Sequence, residues 1–298
     1  DLYFGLSMGK YPDGSIQWCY FDDPTPNSTN TPSICFFGIT NEASLNIESG
    51  WYENEQTILM EPQANSFIFY TTDGSIPSVD DIPYTQPFNI NENTIISYRS
   101  FSANKLPSKL NDRTFIFEEN NHQLPVFSIH TEPNNLWSDE SGIYVSGPNP
   151  SQDYPYYGSN FWQPWSKFSR IEYFDDNKDK KAEEIIDLEI HGGWSRAEPQ
   201  KSFRIDLKSK YTGRLEEAII PAKSHINSYN NFNLRNGGQH TWSDKIQDAL
   251  ISRIAAETNV NYMAYQPCIV YLNGEYWGVY GISCLLYTSP SPRDSRKS

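Results

Sequence analysis

The 298-residue chain is short of methionine, cysteine and basic side chains, with 3 Met, 4 Cys and 23 Lys+Arg against 37 Asp+Glu. Each shortage argues something away. A formal charge of -14 repels a polyphosphate, so a general nucleic-acid binder, which needs a basic stripe to release counterions, is disfavoured. No apolar run reaches the roughly 18 residues of a membrane-spanning helix, and the mean hydropathy is -0.64. The five histidines, His122, His130, His191, His225 and His240, are scattered, with no HExxH-type pair and no Cys/His cluster at zinc spacing. What is present is apolar and aromatic enough to fold in water: 37% hydrophobic residues, 15% aromatic, 20 Tyr. No signal peptide is visible, yet the chain opens on Asp1 in mid-pattern and reads as a piece of a longer protein.

Charge is unevenly spread. Residues 1–160 hold 5 basic and 20 acidic side chains, residues 161–283 hold 15 and 16. The second part therefore carries most of the basic chemistry. Residues 284–298, beginning Cys284-Leu-Leu-Tyr-Thr-Ser-Pro-Ser-Pro-Arg-Asp294, have no hydrophobic period of their own. Written back into codons they resemble the end of a transposase adapter used in sequencing libraries, so they are expected to be non-native; a Ser/Pro-rich linker is the alternative. Setting Cys284 aside, Cys19 and Cys35 are close enough in sequence for a disulfide in an exported protein, with two buried thiols as the other reading.

Residues 1–30 read as strand, turn, strand, turn, with Tyr11-Pro-Asp-Gly14 supplying turn chemistry. Gly9-Lys-Tyr-Pro-Asp-Gly14, Trp18 and Thr25-Pro-Asn27 resemble the end of a lamin-tail domain. After a linker at 31–42, residues 43–120 show short strands at sandwich spacing: 44–48, 56–60, 66–71, 88–90, 94–101 and 114–117. Alternation places Phe67 with Phe69, and Ile96 with Tyr98, in the expected core. Tyr70-Thr-Thr-Asp-Gly-Ser-Ile-Pro77, Tyr84-x-x-Pro-Phe88 and Lys105-x-Pro-Ser108 resemble the chitobiase C-terminal domain, an Ig-like β-sandwich. That resemblance implies an accessory role and makes cell-surface glycans a candidate partner.

From residue 121 to 283 the pattern changes. Leu124 to His130 is a strand, nine aromatic residues fall between Tyr154 and Phe174, and Ile186, Leu188 and Ile190 alternate, as do Phe203, Ile205 and Leu207. Between those last two strands lies His191-Gly-Gly-Trp-Ser-Arg-Ala-Glu-Pro-Gln-Lys-Ser202. Two glycines permit a sharp turn, and Ser195, Arg196, Gln200, Lys201 and Ser202 offer donors suited to phosphate oxygens. Strand, Gly-containing loop and Lys-bearing strand is the logic by which kinases hold nucleotide phosphates. A helix is predicted from Thr241 or Ser243, either able to cap it, to about Thr258, with Ile246, Ala249, Leu250 and Ile254 as its core-facing stripe. Asn273-Gly274 predicts a tight hairpin.

With Phe232-Asn-Leu-Arg-Asn-Gly-Gly-Gln-His240 and Pro267-Cys-Ile-Val-Tyr-Leu-Asn-Gly-Glu-Tyr-Trp-Gly-Val-Tyr280 added, the order resembles the CotH family of atypical kinases over about 124–282. The resemblance implies a kinase-like N-lobe of α+β type, ATP-dependent phosphorylation of Ser on coat or secreted proteins, a divalent metal, Mg or Mn, and a secreted or surface location. It makes Lys201 the lysine on the phosphates, with Ser195, Arg196 and Gln200 beside it and Asp248 as its helix-borne acid, while Arg235 and Asn236 brace the loop. Residues beyond 283 would carry the catalytic and metal-binding Asp residues, so no general base and no metal ligand is assignable, and the chain as it stands is expected to be inactive. The expected architecture is multi-domain and β-rich: an Ig-like sandwich, then a truncated kinase-like N-lobe. The alternative is a surface adhesion, carbohydrate-binding or cell-wall protein that keeps this lobe as a scaffold.

Overall fold

The computed structural model describes residues 6–21, 25, 27–30, 35–117, 122–207, 213–258, 260 and 262–283. The adapter-like tail at 284–298 lies outside them. The chain divides into two compact units, residues 1–121 with 273–275, and residues 122–272 with 276–298. The architecture is multi-domain and β-rich, as the alternating patterns require.

In the first unit, Ser7–Lys10 and Trp18–Phe21 form an antiparallel hairpin, and Cys19 is disulfide-bonded to Cys35 with 5.6 Å between Cα atoms. A five-stranded sheet runs in the order Gly50–Trp51, Asn111–Ile116, Thr94–Phe101, Phe67–Thr71, Ile82–Pro83. Two short pairs, Ser44–Leu45 with Met60–Glu61 and Gln56–Ile58 with Phe88–Ile90, form further sheets. Ile58, Met60 and Ile90 from the pairs meet Ile68, Ile96, Tyr98 and Phe115 from the large sheet in one core. Ile96 and Tyr98 are buried as their alternation requires. Phe67 and Phe69 are not: Phe67 is 74% exposed and its neighbour Ile68 takes the core position. Alternation identifies two faces but not which is covered, and here the smaller branched side chain faces in.

The second unit is a closed seven-stranded barrel. Its strands are β1 (Val126–Thr131), β2 (Lys167–Phe174), β3 (Lys180–His191), β4 (Ser202–Asp206), β5 (Asn231–Arg235), β6 (Tyr265–Leu272) and β7 (Glu275–Ser283), in the order β1-β2-β3-β4-β5-β7-β6. All neighbouring registers between β1 and β5 are antiparallel, and the parallel pair β1 with β6 closes the ring. Closure leaves no open edge among these strands. Phe127, Ile129, Ile171, Ile186, Leu188, Ile190, Phe203, Ile205, Phe232, Leu234, Val270 and Ile282 fill one core. The period-2 pattern of the sequence is thus the inside of a barrel. Asn273 and Gly274 both have positive φ, 49° and 85°, the two left-handed residues of a tight hairpin turn between β6 and β7.

Two helices flank the barrel strands in sequence, α1 (Pro133–Trp137) and α2 (Gln247–Ala256). The α2 helix corrects two expectations. It begins after Ile246 with no side-chain cap; Thr241 and Ser243 instead bond locally, to the carbonyls of Asn236 and His240. Three of the four residues of its anticipated core stripe are outside: Ile246, Leu250 and Ile254 are each more than half exposed, while Ala249 is of intermediate burial. The side chains of intermediate burial are Asp248, Ala249, Ser252 and Ala255, which share helical spacing, so the helix turns its small residues inward.

Candidate functional site

Alternation decides which side chains leave the barrel. Because Ile186, Leu188 and Ile190 point inward on β3, His191 at its end points out. Likewise Phe203 and Ile205 of β4 set Ser202 outward, and Phe232 and Leu234 of β5 set Arg235 outward. These three strands are adjacent, and His191 is paired with Ser202 in register. One end of the sheet therefore presents an imidazole, a hydroxyl and a guanidinium side by side.

A cleft of about 740 Å³ is built over this end. Its floor is His191, Ser202 and Arg235; one wall is Gly192, Gly193, Trp194, Ser195 and Glu198 from the β3–β4 connection. The opposite wall is Gly238 and His240 from the turn after β5 and Asp248 in the first turn of α2, with Tyr154 at the rim.

The connection between β3 and β4 is shaped by a glycine and held from beneath. Gly192 has φ +115°, and a Cβ there would lie 2.6 Å from Ser195 Oγ, so only glycine lets the short 3-10 turn Trp194–Ala197 fold back. Arg196 turns away from the cleft: its Nε donates to the Gly192 carbonyl at 2.7 Å and an Nη to the Phe161 carbonyl at 3.1 Å. Lys201 lies underneath. Its ammonium donates to the carbonyls of Arg196 and Glu198 at 2.7 and 2.9 Å, and sits 4.0 Å from the Phe161 ring centroid. Burial pushes its pKa down to about 8 against the pull of Glu198. Gln200 accepts from Lys245 Nζ and donates to the Val279 carbonyl at 3.2 Å. Of the five residues anticipated on the nucleotide, the structure brings Ser195 and Asp248 to the cleft, while Arg196 and Lys201 hold the backbone that forms its wall and Gln200 bonds away from it, to Lys245 and the Val279 carbonyl.

Asn236, 1% exposed, ties the two walls together. Its Oδ1 accepts from Ser202 Oγ at 2.9 Å and from the Gly238 amide at 2.9 Å, its Nδ2 donates to the Gln200 carbonyl at 2.6 Å, and its amide donates to Ser202 Oγ at 2.9 Å. Gly237, with φ +101°, then reverses the chain toward Gly238 and His240.

The cation that faces the cleft is Arg235. Its guanidinium meets the Asp248 carboxylate at 2.8 Å, with side chains 28% and 44% exposed. A pair this open contributes less than about 1 kcal/mol to stability, so its chief effect is to aim a planar donor fork from β5 across the cleft. His191 has its pKa lowered by desolvation first, then by Arg196, Arg235 and Arg204. It is therefore neutral at neutral pH.

Parity could have found His191 and Arg235, since each is the first residue past an inward apolar position. The same parity, 201 with 203 and 205, marks Lys201 as inward-facing. Tyr154 at the rim and Glu198 in the wall carry no sequence signal for their meeting, a hydrogen bond of 3.0 Å across 44 residues.

A search of curated proteins finds no match to this chain. Residues 58–115 match the family model described as Fn3 associated. Residues 188–283 match the model described as CotH kinase protein, and that stretch supplies every lining residue of the cleft except Tyr154.

Proposed function

We propose that the cleft binds the phosphates of a nucleotide, and that the chain is the nucleotide-holding part of a CotH-like atypical protein kinase. The observation that carries this is the Arg235–Asp248 pair, set between the outward ends of β4 and β5 and the first turn of α2. It couples a strand-borne cation to a helix-borne acid, the arrangement kinases use to place a cation on phosphate oxygens. Arg235 supplies two parallel N–H donors to phosphate, His191 and His240 add imidazoles, and Ser195 and Ser202 add hydroxyls. The volume falls within the usual range of small-molecule clefts, about 300–1,000 Å³.

ATP with Mg or Mn is the proposed ligand; the metal's chemistry would be to neutralise charge on the phosphates. Among the described residues no three His, Cys, Asp or Glu side chains are grouped to hold a metal, so no step is derived through it. What these residues do is bind and orient: Lys201, Arg196 and Asn236 fix the wall, Arg235 holds the phosphates, Asp248 aims Arg235. The proposed acceptor is a Ser hydroxyl on a secreted, surface or coat protein, and the proposed location of the protein is outside the cell.

The experiment is equilibrium dialysis of the chain with radiolabelled ATP in the presence and absence of Mg or Mn. Saturable binding that inorganic tripolyphosphate competes for supports the reading; no binding at millimolar ATP overturns it.

A further inference from the structure

One carboxylate at the cleft is held by neutral hydrogen-bond donors. Glu198 ends the 3-10 turn of the β3–β4 connection and is reached from two distant segments. The Tyr154 hydroxyl donates to its Oε1 at 3.0 Å, and the Trp242 indole N–H donates to its Oε2 at 2.6 Å. No described cationic group pairs with it within 4 Å; Lys201 bonds to its backbone carbonyl, not its side chain. Each carboxylate oxygen accepts about two hydrogen bonds, so two neutral donors leave roughly half of the capacity for a ligand. Around it stand exposed aromatic faces: Trp194 is 61% exposed and packs edge-to-face with Tyr154 at 5.8 Å.

A carboxylate among open aromatic rings suits either a cation or a polyol. A free cation would share the cleft with the Arg235 guanidinium, which lines it too, so a neutral ligand is favoured. A vicinal diol has no charge to be repelled. It donates two hydrogens to one carboxylate while its C–H face rests on an indole. Resting on the nucleotide reading above, we propose that Glu198 recognises the ribose of the bound nucleotide through its 2′- and 3′-hydroxyls, with Trp194 beneath the sugar, so that the cleft selects ribonucleotides. Tyr154 and Trp242 are positioning residues: they fix the carboxylate from two segments and leave its remaining lone pairs toward the cleft.

The test compares Kd values for ATP, 2′,3′-dideoxy-ATP and inorganic tripolyphosphate, measured on the full chain by isothermal titration. A charge-assisted hydrogen-bond pair lost on a half-buried carboxylate predicts that dideoxy-ATP binds about tenfold more weakly than ATP. Glu198→Gln should bring the two nucleotides to the same Kd. Because Gln accepts through one oxygen only and alters the wall, the double variant Tyr154→Phe with Trp242→Phe is the companion: it removes the positioning donors, keeps the carboxylate, and should narrow the preference for ATP without abolishing it. Equal binding of ATP and dideoxy-ATP by the unaltered chain, with tripolyphosphate still bound, overturns the ribose assignment alone. A preference abolished by the double variant and untouched by Glu198→Gln also overturns it. Binding of neither nucleotide nor tripolyphosphate overturns the nucleotide reading and this one together.

Discussion

Replacing Lys201 by Met keeps an unbranched side chain between Tyr144 and Phe161 and removes the ammonium. In the folded chain that amine titrates near 8, against 10.5 when unfolded. Between those values the unfolded chain holds more protons than the folded one, so stability rises with pH. Below pH 8 the penalty is complete, and a gap of about 2.5 in pKa corresponds to about 3 kcal/mol; above pH 10.5 it is gone. Lys201→Met has no such group. Lys178, whose pKa is also lowered to about 8 by burial, and the tyrosines titrate in both proteins and cancel in the difference. Urea unfolding at intervals from pH 7 to 10.5 should show the stability of the original chain, minus that of the variant, climbing by about 3 kcal/mol. A flat difference would refute a buried, strained ammonium. A falling one would mean that the bonds to the Arg196 and Glu198 carbonyls outweigh desolvation, and that the ammonium is stabilised where it lies.

Other outcomes follow from the same contacts. Asn236→Ala deletes the side-chain bonds to Ser202, Gly238 and Gln200, and should lower the stability of the barrel unit by about 3 kcal/mol, at about 1 kcal/mol per bond, in a denaturant titration. His191 has a depressed pKa and faces the cleft, so a bound phosphate favours its charged form; as pH falls from 7 to 5.5, ATP affinity of the original chain should gain about fivefold relative to His191→Gln, for about 1 kcal/mol of added attraction. In the absence of an anion the sign reverses for stability, since a base with a lowered pKa costs stability as pH falls below 6.5. Reduction of the Cys19–Cys35 bond, which joins residues 16 apart, should cost the first unit about 3 kcal/mol, read as a lower thermal midpoint in dithiothreitol.

Much of the barrel was legible because its strands are covered on the inner face by strict alternation. Phe203-x-Ile205 and Phe232-x-Leu234 each mark a β-strand, and Asn273-Gly274 marks its hairpin. Alternation was less informative wherever coverage, rather than periodicity, decides the outcome. Phe67 and Ile68 differ by one position, and only the packing of Ile58 and Met60 against the sheet selects Ile68. On α2, Ile246, Leu250 and Ile254 have helical spacing, yet their face is open while Asp248, Ala249 and Ser252 turn inward. The site shows the same division. The loop 191–202 was identifiable from its glycines and donors, but residue type favours Lys201 as the phosphate ligand, whereas strand parity sends it beneath the wall and sends Arg235 into the cleft. The meeting of Glu198 with Tyr154 and Trp242 joins three segments whose proximity no local pattern encodes.

The exchange of roles between these two cations is the central claim, and it is tested by titrating ATP into Arg235→Met and Lys201→Met side by side, each first checked for a cooperative unfolding transition. Losing Arg235 should weaken ATP binding by roughly 30-fold, for about 2 kcal/mol of charge-assisted hydrogen bonding, with less than about 1 kcal/mol lost in stability. Losing Lys201 should shift the stability and its pH dependence far more than the affinity. A folded Lys201→Met that no longer binds ATP, beside an Arg235→Met that binds it undiminished, would contradict the account.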